Sequence, residues 1–227
     1  MPPRSRRERP AKPALSREGI VATAVRLMDT DGLQRVTMRR LAQELDTGPA
    51  SLYVYVRNTA ELHAAVLDEL LGAVDLRPAR ASGDWRDRLV DVLSSYTDVL
   101  LAHPGLAQSA LVARPSGRNY LNLLEALLAL LHEGGVPDDQ AAWGIDLLLQ
   151  TATATAAEHS VRRGEPGAED EESALVEALR TASGRTHPRL AALGSDLVSG
   201  TGPERRRWAF HVLINGTLHT SRRGNRS

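Results

Sequence analysis

The chain has no cysteine, and that absence removes disulfides, thiol nucleophiles and thiolate zinc sites together. Aromatic residues are nearly as scarce, at 4% of the composition, with Phe210 the sole phenylalanine. Leu, Ala and Val must therefore fill the core. Runs of β-branched residues are few, which favours helix over sheet. Lys12 is the only lysine, so almost all positive charge is arginine, a bias that a GC-rich genome explains without any special arginine chemistry. No apolar run reaches the roughly 18 uncharged residues of a membrane span. Met1–Lys12 lacks the apolar stretch of a secretory signal, and a cytoplasmic protein is expected. There is no Gly-rich phosphate loop, no nucleophile elbow and no HxxxH pair among the seven histidines. Neither an enzyme nor a metal or cofactor site is expected.

What is present is an uneven distribution of charge. The net charge is zero, yet residues 1–60 hold 11 Lys/Arg against 6 Asp/Glu, leaving the remainder with 17 against 22. A basic front on an acidic body suits a chain that presents one end to a polyanion.

Residues 1–14 are rich in Pro and Arg and read as a disordered basic tail. Ser16 can cap a first helix, with Glu18 in its first turn, Ile20, Ala24, Leu27 and Met28 on one stripe, and Gly32 at its end. A short second helix is expected from Thr37 to Leu45, a turn at Asp46-Thr47-Gly48, and a third helix opened by Pro49 and running to about Val56. Asn58 and Glu61 have capping-box spacing for a fourth helix that reaches about Val74. Residues 75–84 read as a linker. Leu/Ala-rich helical stretches then follow at about 84–102, 106–112, 116–133, 138–163, 171–182, 187–198 and 203–220, broken by Pro and Gly. The acidic segment Glu165–Glu172 reads as mobile. The fold class is all-α: a three-helix helix-turn-helix domain, 15–74 with its linking helix, and a helical ligand-binding and dimerisation domain, 75–221.

Two short helices around a tight turn describe any helical hairpin as well as a DNA reader. The side chains favour the reader. Pro49, Ala50 and Ser51 open the third helix, and small or hydroxylated residues there can approach base edges and thymine methyls. Tyr53 and Tyr55 follow. They suit a DNA surface, or packing on the next helix. Thr37, Arg39, Arg40 and Arg57 flank them and suit phosphates or guanine.

The stretch Val36-Thr37-Met38-Arg39-Arg40-Leu41-Ala42-Gln43-Glu44-Leu45, with Ser51-Leu52-Tyr53-Val54-Tyr55-Val56-Arg57-Asn58 and Glu61-Leu62, closely resembles the TetR family of bacterial repressors. The resemblance implies that Arg39 reads a guanine from the second helix. It also implies that Pro49, Ala50, Ser51, Tyr53 and Tyr55 form the recognition surface, and that Thr37 and Thr59 hold phosphates. Thr59 stands where many members have lysine. Arg4, Arg6, Arg7 and Arg9 of the tail are read as compensating for that lost charge.

Past the linker, Trp85, His103-Pro104, Arg114-Pro115, Gly135 and Glu158 fall at the spacing of the family's tetracycline-sensing body. Tyr96, Arg114, Pro115 and Glu158 match positions that line its pocket, and Val92, Ala110, Ala126 and Trp143 are candidate ligand contacts beside them. Each also has a plainer explanation: Tyr96 as core, Glu158 as a solvated carboxylate, and Trp143 as packing. Ala110 stands where that body has a metal-binding histidine, and Val92 and Ala126 replace its polar Asn and Gln. These departures imply a more apolar ligand and no metal. The resemblance also implies a homodimer through 138–163 and 203–220 on a palindromic double-stranded operator. The small residues Thr151–Ala157 serve either that interface or the pocket. The expected function is a ligand-responsive repressor released by a small, largely apolar molecule, with a ligand-independent DNA-binding protein or an activator of the same fold as the alternatives.

Overall fold

The computed structural model describes residues 15–113 and 115–222. All regular structure among them is helical, and they divide into two compact units between Val66 and Leu67. The basic tail lies outside the described residues.

The first unit begins with α1 (Arg17–Asp31), whose N-terminus is capped by Ser16 accepting the Gly19 N–H at 3.0 Å. Gly32, at φ 81°, ends it. One 3₁₀ turn (Leu33–Arg35) leads to α2 (Met38–Glu44), which is followed by α3 (Pro49–Leu52) and the start of α4 (Thr59–Leu71). The α2–α3 turn is a Schellman closure. Thr47 N–H reaches the Ala42 carbonyl at 2.9 Å and Asp46 N–H the Gln43 carbonyl at 3.1 Å. Asp46 takes the left-handed conformation, φ 48°, which Asp tolerates better than most side chains. Ile20, Ala24, Leu41, Leu52, Leu62 and Val66 are fully buried and form the core.

In α3 the helix stops at Leu52, four residues short of the expected Val56. Tyr55 N–H bonds the Leu52 carbonyl in a three-residue step at 2.9 Å, tightening the chain into a turn that places Val56 in the core. The Asn58–Glu61 cap is also modified. Asn58 Oδ1 accepts the Glu61 N–H at 2.8 Å, but the Glu61 carboxylate accepts from Arg57 N–H, at 2.9 Å, rather than from Asn58.

The second unit is built around α5 (Trp85–Ala102), which packs against α6 (Pro104–Ala110), α7 (Arg118–Glu133), α8 (Asp138–Gly164) and α11 (Gly202–His219). Neighbours on several sides explain why Leu89, Val90, Val92, Leu93, Tyr96, Thr97 and Leu100 are all buried. Helix α7 ends in a second Schellman closure, with Gly135 at φ 71° and Val136 N–H on the Leu131 carbonyl. Helix α8, at 27 residues, is about 40 Å long. It meets α11 closely because Gly144 leaves room for Thr217, where a Cβ would overlap. Ion pairs Arg206–Asp98 (2.8 Å) and Arg207–Asp91 (2.6 Å), with a His211–Asp87 contact at 3.4 Å, tie α11 to α5 along the outer edge.

Between α8 and α11, α9 (Ala168–Arg180) and α10 (Pro188–Leu197) pack on each other as a hairpin. The acidic segment is therefore only partly a loop. Glu169, Asp170 and Glu171 form the first turn of α9, where negative charge is favoured by the helix dipole.

Candidate DNA interface and candidate ligand cavity

Around α2 and α3, Thr37, Arg39, Pro49, Ala50, Ser51 and Tyr53 are exposed, while Tyr55 and Thr59 are half-buried. Thr37 caps α2 by accepting Arg40 N–H at 3.2 Å, which leaves its O–H free to donate. The three arginines differ in a way their spacing conceals. Arg40 pairs with Glu44 (3.2 Å) and Asp31 (3.5 Å), and Arg57 with Glu61 (3.0 Å). Arg57's main-chain and side-chain donors also hold the Glu61 carboxyl below its ordinary range. Arg39 forms no ion pair with any described residue. Among the described residues, no carboxylate holds its guanidinium.

The second unit contains a cavity of about 370 Å³. Its wall is formed by Leu67 and Leu71 of α4, Tyr96 of α5, Ala110 at the end of α6, Leu111, Ala113 and Pro115 after it, Tyr120 of α7, and Asp146, Leu149, Gln150, Thr153 and Ala154 of α8. The polar groups are arranged in two places. Tyr96 Oη and Thr153 Oγ1 share a hydrogen bond at 2.7 Å in the buried part. Gln150 donates to Asp146 at 3.2 Å, one helical turn apart on exposed residues.

Burial pushes the Tyr96 hydroxyl up to about 12, against the opposing effect of the Thr153 bond and with a smaller contribution from Tyr120. In a spectrophotometric titration, Tyr96→Phe should therefore abolish an ionisation step near pH 12. A raised folded pKa favours folding up to the unfolded value near 10, and that contribution is lost as pH climbs through 12.

Of the sequence-predicted pocket residues, Tyr96, Ala110 and Pro115 line the cavity. Arg114 lies outside the described residues. Val92, Ala126, Trp143 and Glu158 are not on its wall. Val92 shares a face with Tyr96 but sits one turn, about 6 Å, further along α5, fully buried. Ala126 is six residues past Tyr120, which turns it to another side of α7. Trp143 stands 62% exposed with the Arg222 guanidinium 3.8 Å from its ring centroid, so it is neither packed inside nor in the cavity. Glu158 lies one turn beyond Ala154 and pairs with Arg162 at 3.3 Å in solvent. The small-residue run contributes Thr153 and Ala154 to the wall, while Thr151 and Thr155 bond back to their own helix. Asp146, Gln150 and Tyr120 escaped the sequence reading. Their only signal was proximity to the expected pocket, and that is a property of the fold.

A solvent-facing α2–turn–α3 motif with an unengaged arginine defines a helix-turn-helix protein. The profile of bacterial regulatory proteins of the tetR family matches residues 20–66, and that of the tetracyclin repressor-like C-terminal domain matches residues 77–217. The chain belongs to the TetR family. It is similar along its length to a transcription regulator of Streptomyces coelicolor, with 59% identity, a TM-score of 0.76, and coverage of 95% of this chain and 100% of that one. It is also similar to the TetR family protein ActR of S. coelicolor, solved in complex with actinorhodin, at 36% identity and a TM-score of 0.79, covering 91% and 96%. An HTH-type transcriptional repressor of Streptomyces coeruleorubidus, DrrR1, is 30% identical over 63% of this chain. The match spans about half, 53%, of that curated relative.

Proposed function

We propose that this protein is a ligand-responsive transcriptional repressor in the cytoplasm that grips a palindromic operator as a homodimer and lets go when a small molecule enters the body cavity. The observation that carries the reading is that α4 contributes to both units. Its first residues belong to the helix-turn-helix unit, and Leu67 and Leu71 are cavity wall. The complex of ActR with actinorhodin supports a small-molecule site in the body, and the repressor name of DrrR1 supports the direction of control. A volume of about 370 Å³ falls in the range of about 300–1,000 Å³ usual for ligand pockets.

Homodimerisation is supported by apolar side chains left in water. Trp143, Leu147 and Val161 on α8 and Trp208 and Val212 on α11 are each at least 45% exposed in the single chain. Such patches normally mark an interface. No described helix is long and apolar enough to cross a membrane.

Genome-wide footprinting tests the DNA half, and actinorhodin is the first probe for release from the footprinted fragment. Arg39→Ala should cost about 1–3 kcal/mol of operator binding and relax base preference at one position. Arg40→Ala should cost less, because that guanidinium must first give up its carboxylates. Equal losses from both would reject the assignment of Arg39 as the base reader.

A further inference from the structure

We infer that Asp68 is the residue through which occupation of the cavity acts on α4, a positioning role that rests on the ligand-gated reading above. Asp68 lies on α4 between the wall residues Leu67 and Leu71. Its Oδ1 accepts the backbone N–H of Tyr120 at 2.9 Å, and its carbonyl accepts from Asn119 Nδ2 at 2.9 Å. Both partners are in the first turn of α7, some fifty residues along the chain.

Helix α7 needs that carboxylate. The first N–H groups of a helix have no partner within it, and the N-cap here is Gly117, which has no side chain to offer. Asp68 supplies the missing cap from another helix, with its charge at the favourable end of the dipole. The fit is close, since a Cβ at Gly117 would overlap the Asp68 carboxylate. Gly117 has φ −84°, so the glycine is there for space and not for an unusual backbone angle.

The same few residues face the cavity from both sides of this joint. Tyr120, whose N–H Asp68 holds, is wall; so are Leu67 and Leu71. An occupant that shifts Tyr120 therefore pulls on Asp68, or breaks its bond. Hydrogen bonds of this length and direction tolerate little stretch, so the intact joint moves α4 with α7. Helix α4 is unbroken from Thr59, about 14 Å from Asp68 along its axis, and carries the displacement to its other end.

A cavity filled by substitution replaces the unidentified ligand in the test. Ala110→Phe adds a ring at the wall, and binding is read by fluorescence anisotropy on the footprinted operator fragment. In the otherwise wild-type chain the filled cavity should weaken binding about 10-fold, within the roughly 5–150-fold usual for coupled sites. In the Asp68→Ala background the same filling should change affinity less than about 2-fold. Asp68→Asn, which keeps an acceptor for Tyr120 N–H, should restore most of the response. Gly117→Ala, which displaces the carboxylate without touching Asp68, should uncouple like Asp68→Ala and guards against a variant that fails to fold. A purely structural Asp68 would lower the melting temperature and leave the 10-fold ratio intact, and that result overturns the inference. If Ala110→Phe leaves operator binding unchanged in the wild-type chain, cavity control itself is wrong and the inference falls with it.

Discussion

Phe210→Ala is expected to remove about 3–5 kcal/mol of folding stability, the range for emptying a large aromatic site in a core that cannot collapse. Phe210 is 1% exposed, and α11 holds it against α5 and α8 together with Ile214 and Thr217. Collapse is obstructed on both sides. Gly144 already lets α11 approach α8 until Thr217 fills the space, and the Asp87, Asp91 and Asp98 pairs fix α11 over α5. Those exposed pairs do not offset the loss, because each is worth only about 0–1 kcal/mol. Against a total stability of about 5–15 kcal/mol, the cavity consumes a large part of the margin. At about 2–4 °C per kcal/mol for a chain of this size, the melting temperature should fall by roughly 6–20 °C. Calorimetry must be run at fixed protomer concentration, because association would raise the apparent value. A loss under about 1 kcal/mol would mean that α11 does not pack on α5 and α8 as described.

Trp208, only two residues away, should behave oppositely, and this contrast shows what the sequence can and cannot convey. Several helix limits were legible because punctuation is local chemistry, though α3 stops at Leu52 and α6 begins at Pro104 rather than 106. Ser16, Gly32, Pro49, Pro104 and Gly135 each cap, start or stop a helix through their own backbone or side chain. The solvent-facing row around α2 and α3 was legible for the same reason, being a short stretch of chain. The state of its arginines was not, since Arg40 is occupied by Asp31 of a different helix. Cavity membership was harder still. Helical phase places Val92 with Tyr96 and Glu158 with Ala154, yet a shift of one turn along the axis decides which touches the cavity. Position along a helix relative to its neighbours is set by packing, and close approaches such as Gly144 on Thr217 or Gly117 on Asp68 control that packing. The sequence shows those glycines without showing what each one admits.

On the proposed dimer, Trp208→Glu should produce a monomer that binds the full palindrome about 10²–10⁴-fold more weakly, the usual gain from making a second binding event intramolecular. Trp208 is 70% exposed and on the side of α11 away from Phe210, so the protomer's own folding should change by only about 0.5 kcal/mol. In a twofold interface the same patch meets itself, so one substitution introduces two carboxylates into a region of Trp143, Leu147 and Val212. Burying an unpaired carboxylate costs several kcal/mol. Sedimentation gives the mass, and anisotropy on a full palindrome and on a single half-site gives the rest. Affinity for the half-site should be unchanged, because Arg39, Ser51 and Tyr53 lie in the other unit. A fall on the half-site as well would indicate a damaged reader, not a lost partner. A variant that stays dimeric and holds the palindrome within about threefold of wild type would move the interface away from α8 and α11. The next surface would then be the α9–α10 hairpin, where Leu175, Leu193 and Leu197 are also exposed and neither helix packs substantially on anything but the other.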